Sequence, residues 1–511
     1  MESQTEHLFE IELERPVKGG RDATVTLYQQ LRAAIISGRL PLGARLPPSR
    51  SSQRAFGVSR NTTMAVYDRL LHEGYVVARH GSGTHVASTL PGSATLPPTT
   101  GDAAPYAGLN TFWLRQDVTE AMGFWRSPAD DDPGGPVPGA VDLRPAVVDS
   151  RLFPHDVFRR MVAKQLRGLE RDPARYRSAQ GNQGNFKLRA AIAQHIATTR
   201  AIVCRPEEVI VTSGAQQAFD LLARTLVGAP GAVVAVEDPG YPPMRVAFAA
   251  AGARLVGVPI DAEGMMVEKL PADVDIICLC PSHQFPLGVP MSSERRKALI
   301  DFARRHGAVI VEDDYDGEFR HEESALAALH AHGADVVFHV GTFSKCMLPA
   351  LRLGFIIVPE WARPVLVAAK NCLDWHASVP VQAGVAAFIA EGHLTQHVRR
   401  MRQVYRDRRQ LLLGALQDRF AEHLAPIPSA YGMHVSAEFR RPVDAEAVSE
   451  AMARRGVQMH TLRRYAFQGP ARPGLVFGYG VSDEAGLRRA LDVLHAVLAV
   501  GSDPAGDAPS T

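Results

Sequence analysis

Cysteine is scarce in this chain, net charge is nearly absent, and no apolar run is long enough to cross a bilayer. The five cysteines are Cys204, Cys278, Cys280, Cys346 and Cys372. An odd number, set mostly in apolar runs, implies reduced thiols and excludes a disulfide framework. Cys278 and Cys280 alternate along a predicted strand and so point to opposite faces, which leaves no metal pair to expect. Cys346 reads as a small buried hydrophobe. No stretch reaches about eighteen apolar residues without charge, so no membrane span is expected. The opening MESQTEHLFEIELER lacks a basic start followed by an apolar core, which argues against a secretory leader and for a cytoplasmic protein. A net charge of +2 selects no class of partner.

What is present is size and an uneven distribution of charge. A chain of 511 residues, 46% apolar and 22% charged, is an ordinary globular composition too long for one core, so two or three domains are expected. Residues 23–88 carry Arg32, Arg39, Arg45, Arg50, Arg54, Arg60, Arg69 and Arg79 against only Asp68 and Glu73. That basic footprint suits nucleic acid.

The same segment has the punctuation of a helix-turn-helix. Thr26–Ser37 places Leu27, Leu31, Ala34 and Ile35 on one helical face, and Gly38 stops it. Ser49 caps a second short helix ending near Phe56. Gly57-Val58-Ser59 forms the turn, and Ser59 caps a third helix from Arg60 to about Glu73. The start of that helix, Ser59-Arg60-Asn61-Thr62-Thr63, offers one arginine and short donors to a major groove. Tyr75–Arg79 and Thr84–Ala87 read as a hairpin tipped by His80-Gly81-Ser82-Gly83, the wing.

Residues 89–140, rich in Pro, Gly, Ser, Ala and Asp, read as a flexible linker. Within it, Leu109–Trp125 holds Phe112, Trp113, Phe124 and Trp125, an aromatic island expected to dock on its own or another subunit. From Val141 onward apolar strands alternate with helical stretches: Val209–Thr212, Val233–Val236, Arg254–Pro259, Asp275–Leu279, Ala308–Glu312, Val336–Val340 and Leu353–Val358. This rhythm predicts an α/β domain with a mainly parallel sheet and ligands at the strand ends.

Chemistry-bearing residues fall at those ends. In Val340–Phe355, VGTFSKCMLPALRLGF, Lys345 stands beside Thr342 and Ser344 and ahead of Arg352. A phosphate-bearing aldehyde needs such a set: an amine for a Schiff base, with hydroxyls and a guanidinium for the phosphate. Ser213-Gly214-Ala215-Gln216 opens a helix that can offer amides to a phosphate. Tyr241 can stack on a flat ring. AVIVEDDY at Ala308–Tyr315 ends a strand in three acids, one of which can keep a pyridinium nitrogen protonated.

Residues 23–88, LYQQLRAAIISGRLPLGARLPPSR through VSRNTTMAVYDRLLHEGYVVARHGSGTHVA, resemble the GntR-type winged helix. The resemblance implies Arg50, Ser59, Arg60, Asn61 and Thr63 near double-stranded DNA, with Gly81 and Gly83 shaping the wing. Ser52 and Gln53 depart from its usual Leu-Ala pair. Residues 141–500 resemble fold-type-I aminotransferases that use pyridoxal 5'-phosphate, with a smaller α+β subdomain. That resemblance implies Lys345 as the Schiff-base lysine and Asp313 as the ring-nitrogen partner, with Asp314 its rival in register. Tyr315 would bond the ring hydroxyl and Tyr241 would stack. Ser213, Ala215, Gln216, Thr342, Ser344 and Arg352 would surround the phosphate. The fused order, and the string PSHQFPLG at Pro281–Gly288, resemble the MocR regulators. That string lacks an asparagine expected at the ring hydroxyl, leaving Tyr315, His283 or Gln284 to share the role.

Another departure concerns the effector. Aminotransferases of this fold hold a carboxylate with an arginine near a strand resembling Gly474–Gly480, where this chain has Leu475 and Val476. Pro243 stands where some MocR members can hold a second arginine. Simple ω-amino acids are therefore disfavoured as effectors. The reading that results is a multidomain, pyridoxal-phosphate-dependent transcription regulator, acting as a homodimer. It would sense an amine, an amino-acid-like molecule or the cofactor itself through a Lys345 aldimine, coupled to DNA through dimer contacts. The rival is an aminotransferase with an accessory DNA-binding module. Residues 1–22 and 501–511 are expected to be tails.

Overall fold

The computed structural model describes residues 22–51, 55–79, 81–90, 108–125, 139–171, 182–228, 231–320 and 327–500. The tails, most of the linker, and His80, Ser52, Gln53 and Arg54 lie outside them. The chain divides into two compact units at Asn110/Thr111.

In the first unit, helix α1 (Asp22–Ile36) packs on helix α2 (Arg60–His72), and the hairpin β1 (Val76–Arg79) and β2 (Gly83–Val86) pairs antiparallel. Leu27, Leu31, Ala34 and Ile35 are all buried, as their spacing predicts, against Val66, Leu70 and Val86. Ser59 caps α2, its Oγ accepting from Thr62 N at 3.2 Å. Of the expected second short helix, a single 3-10 turn is described at Ser49–Ser51, and residues 52–54 lie outside the described residues.

The second unit begins at Thr111 rather than Val141, because the aromatic island is folded. A 3-10 turn at Thr111–Leu114 leads into α3 (Gln116–Met122), whose Val118 and Ala121 are buried beside Val246. The main sheet is built from β3 (Val209–Thr212), β4 (Val233–Asp238), β5 (Arg254–Asp261), β6 (Gly264–Met265), β7 (Ile276–Leu279), β8 (Val309–Asp314), β9 (Val337–Thr342) and β10 (Gly354–Ile357). Its order is β3-β10-β9-β8-β7-β4-β5-β6. The run from β9 to β5 is parallel, while β10 is antiparallel to both neighbours and β6 to β5. Because β10 runs against β9, the chain turns back at the carboxyl end of β9, and that return carries Lys345 and Arg352. Helices α4 (Phe186–Arg200) and α5 (Ala215–Leu226) flank this sheet. A smaller sheet, β11 (Leu424–Pro426), β12 (His434–Phe439), β13 (His460–Thr461) and β14 (Gly474–Gly478), has order β11-β12-β14-β13. Buried Val, Ile and Leu fill both faces of the parallel strands, as expected where helices cover a sheet on each side.

Candidate cofactor site and DNA-reading face

The carboxyl ends of the parallel strands open into a cleft of about 600 Å³, lined among others by Ala215, Gln216, Tyr241, Asp313, Tyr315, Thr342, Ser344, Lys345 and Arg352. Residues more than a hundred positions apart in sequence converge here. Ser213 is not in the lining, but its carbonyl accepts from Arg352 Nη2 at 3.2 Å. Gly214 (φ 86°) brings the backbone so near that a Cβ would sit 3.1 Å from Arg352 Nη2. The start of α5, the Thr342 and Ser344 hydroxyls and the Arg352 guanidinium thus form a cradle for an anion.

Alternation along β8 resolves the three acids. Glu312 turns away, accepting from Leu329 N at 2.8 Å and facing His339 Nδ1 at 3.0 Å. Asp314 turns the same way and pairs with Arg200 of α4. Asp313 alone faces the cleft, and its Oδ1 has no hydrogen-bond partner among the described residues. Burial, and then the Asp314 charge, push the Asp313 carboxyl up to about 7. An unsatisfied buried acceptor calls for a cationic donor, which a protonated ring nitrogen supplies.

Lys345 is half-buried, and enclosure pushes its amine down to about 8, with Asp316 and Asp313 opposing. Its Nζ donates to the Ala146 carbonyl at 2.5 Å and lies 4.4 Å from the centre of the Trp125 ring. Ala146 has φ 56°, the left-handed region that a Cβ disfavours, so the backbone holds this carbonyl in place under strain. The Trp125 Nε1 donates to Tyr241 Oη at 3.1 Å. Phe124 is 1% exposed, edge-on to Tyr241, Phe285, His460 and Tyr465. The island therefore docks on its own chain, against Lys345. Its tryptophans signalled docking in the sequence, but no local pattern signalled where.

Of the residues left to share the missing asparagine's role, Gln284 is turned away, donating to Pro239 O and Phe285 O. Tyr315 faces the cleft, and His283 lies behind it with Nδ1 2.7 Å from the Tyr315 oxygen. Val476 is buried among Phe124, Phe285 and Tyr465. Arg472 pairs with Glu438, and Arg245 donates to Tyr465 O at 2.9 Å. Arg144, on the cleft wall, spends its fork on Asp142 and the Trp125 carbonyl.

In the first unit Arg50, Ser59, Arg60, Asn61, Gly81 and Gly83 are exposed. Thr63 is not: it is fully buried on the inner face of α2, so the expectation that it reaches DNA is corrected. Two residues along a helix rotate the side chain by about 200°, so a residue two positions past an exposed one faces the opposite side.

A winged helix joined to an aminotransferase-type cofactor domain defines the class: a regulator built partly from an enzyme fold. Residues 23–86 match the bacterial regulatory proteins of the gntR family, and residues 152–476 match aminotransferase class I and II. The chain is 34% identical to the probable rhizopine catabolism regulatory protein MocR of Rhizobium meliloti, over 95% of this chain and 96% of that one. It is 31% identical to the pyridoxine biosynthesis regulator PdxR of Corynebacterium glutamicum, over 93% and 96%. LysN, an α-aminoadipate aminotransferase of Thermus thermophilus, superposes with a TM-score of 0.66 at 27% identity, covering 75% of this chain and 97% of that one. The chain belongs to the MocR-type GntR regulators. It is a DNA-binding transcriptional regulator whose second domain is of the pyridoxal-phosphate-dependent aminotransferase type, and the anion cradle, the unsatisfied Asp313 and the depressed Lys345 all fit that cofactor. Among the described residues no helix is long and apolar enough to cross a membrane.

Proposed function

We propose that this regulator senses the loading of Lys345, and that the segment Thr111–Trp125 reads it. In this reading Lys345 carries the cofactor, Asp313 faces the ring nitrogen, Tyr315 the ring hydroxyl and Tyr241 the ring. Ala215, Gln216, Thr342, Ser344 and Arg352 hold the phosphate, and Ser213 supports Arg352. Pyridoxal phosphate supplies an aldehyde that primary amines attack reversibly, so an incoming amine can take the place of Lys345. The observation that carries the reading is Trp125 lying on the Lys345 amine, in a segment that follows the winged helix in sequence.

When its amine is unattached, Lys345 has two partners, the Ala146 carbonyl and the Trp125 face. A charged hydrogen bond contributes about 1.5–3 kcal/mol and a partly desolvated cation–π contact about 0.5–2 kcal/mol. Only the Trp125 contact reaches the docked segment, so withdrawing it would bias docking by about two- to thirty-fold. The linker need not transmit strain, since docking and release suffice; dimer contacts remain the route by which two DNA modules in a cytoplasmic homodimer would be spaced. The effector class follows from the arginines. Val476 sits in an apolar cluster, and of the described arginines lining the cleft, Arg144 is held by Asp142 and Arg352 is the one taken here for the phosphate. An amine without a carboxylate, or the cofactor itself, suits the cleft.

The test is fluorescence anisotropy on DNA from immediately upstream of the gene, against scrambled DNA, with and without pyridoxal phosphate at near-physiological salt. Sequence-specific binding that shifts with the cofactor is expected. Binding no better than to scrambled DNA overturns the reading. The aminotransferase reading rests on the retained lysine, acid and tyrosine. It is tested by asking whether an amino donor and a 2-oxo acid turn over.

A further inference from the structure

The loop that follows β7 carries His283, which the cofactor reading above leaves without a task. Its ring is built into the protein rather than merely enclosed. A Cβ on Gly432 (φ 85°) would lie 1.9 Å from His283 Cε1, and one on Gly288 3.2 Å from its Nε2. Two positions thus stay small to admit the imidazole. Its Nδ1 lies 2.7 Å from the Tyr315 oxygen and 3.1 Å from each oxygen of Asp316. The His283 and Tyr315 rings are stacked at 5.8 Å and 27°. His283 and Asp316 are 2% and 1% exposed.

One ring nitrogen therefore serves two side chains, and it has room for a single proton. With that proton in place, Nδ1–H donates, and the Tyr315 hydroxyl is left to point its own proton into the cleft. With Nδ1 bare, Tyr315 donates backwards to His283 and offers the cleft only lone pairs. An ionised Asp316 favours the first arrangement and a protonated one the second. Passing from the first arrangement to the second adds one proton to the site: Asp316 takes it up, and the neutral ring shifts its own proton from Nδ1 to Nε2.

We propose that His283 and Asp316 are a positioning pair that directs the phenolic proton of Tyr315 into the cofactor cleft, in place of the asparagine that PSHQFPLG lacks. The inference rests on pyridoxal phosphate occupying that cleft. Burial pushes the Asp316 carboxyl up to about 8, and holds the His283 ring down to about 3. The exchange is thus poised near neutrality. The other groups bearing on it are Arg409, Asp314 and His434 around the pair, Glu318 and Lys345 near Asp316, and Cys280, Asp313 and Glu237 near Tyr315. His283, Asp316 and His434 also converge closely enough to suggest a cation site. The geometry argues otherwise: Nδ1 is engaged twice, and the positive Arg409 bears on the same ring.

The experiment uses the full chain loaded with pyridoxal phosphate and follows the pH midpoint of the cofactor's visible absorption band, with cofactor affinity from tryptophan fluorescence as the second readout. His283→Leu and Asp316→Asn should each move the midpoint by about one pH unit, tenfold in proton affinity. His283→Asn, whose amide nitrogen replaces Nδ1, should return it toward the wild-type value. Should His283→Leu fail to fold, Asp316→Asn decides, since it conserves volume. A wild-type midpoint in Asp316→Asn, or in folded His283→Leu, overturns the proposal. A wild-type chain that shows no visible band overturns the cofactor reading and this inference together.

Discussion

Replacing Phe124 by alanine tests whether the aromatic island is a docked reader or a passive strap. The ring is 1% exposed and meets Trp125, Tyr241, His460 and Tyr465 edge-on at 4.9, 5.6, 5.3 and 5.5 Å. An aromatic side chain buries roughly 150–250 Å², which at about 25 cal/mol per Å² contributes about 4–6 kcal/mol as an upper bound. Measured truncations of buried phenylalanine cost about 3–5 kcal/mol. The other anchors of the segment include Val118, Ala121, the Trp125–Tyr241 hydrogen bond, the Arg144 and Arg464 hydrogen bonds to the Trp125 and Phe124 carbonyls and the Lys345–Trp125 contact. A loss of that size is larger than any one of them contributes, so the segment should open far more often while the rest of the unit stays folded. Hydrogen exchange across residues 111–125 should rise by about two to three orders of magnitude, since about 1.4 kcal/mol corresponds to tenfold. Tryptophan emission should shift to the red, and the response of DNA binding to cofactor should disappear with basal affinity retained. Unchanged protection of residues 111–125 in Phe124→Ala would refute the docking argument. A lost cofactor response with intact docking would refute its role as reader.

Lys345→Ala should abolish the visible cofactor band and the effect of pyridoxal phosphate on anisotropy, leaving sequence-specific DNA binding in place. Arg60→Ala and Asn61→Ala should each weaken binding by about 1–3 kcal/mol if they read bases, whereas a phosphate contact would lower the salt slope by about one; Thr63→Val should leave both unchanged, because Thr63 is buried. Glu318 gives a pH signature. Burial alone would raise its carboxyl, but His195 and Arg200 hold it at about 2 against an ordinary value of 4.5. A depressed acid contributes stability above its unfolded value, and that contribution is lost as pH falls through the folded one. Glu318→Gln should therefore cost about 3–5 kcal/mol at pH near 7, and the gap to wild type in chemical denaturation should close between pH 4.5 and about 2.

Much of the candidate site was legible because its parts are local. A lysine and arginine flanking the return from one strand to the next, a small-residue turn opening α5 and a run of acids ending β8 are short-range patterns. The winged helix was legible for the same reason: Leu27, Leu31, Ala34 and Ile35 follow the helical period, and Ser59 is a cap whatever surrounds it. Thr63 was misplaced because the period of α2 tells which residues share a face, not which face meets the core. Asp313 and Asp314 were ambiguous in the same way, and only the folded sheet shows that Asp313 lines the cleft while Asp314 meets Arg200.

By itself the sequence determined the two modules, their order, the elements within them and the chemical types gathered at the strand ends, since each follows from neighbours a few residues apart. Only the tertiary structure decided that Trp125 lies on Lys345, that its indole reaches Tyr241 across 116 residues, and that His283 joins Tyr315 to Asp316 across 32 and 33. Such contacts are made by the packing of whole elements, and no periodicity of a few residues encodes which distant side chain will fill a given gap.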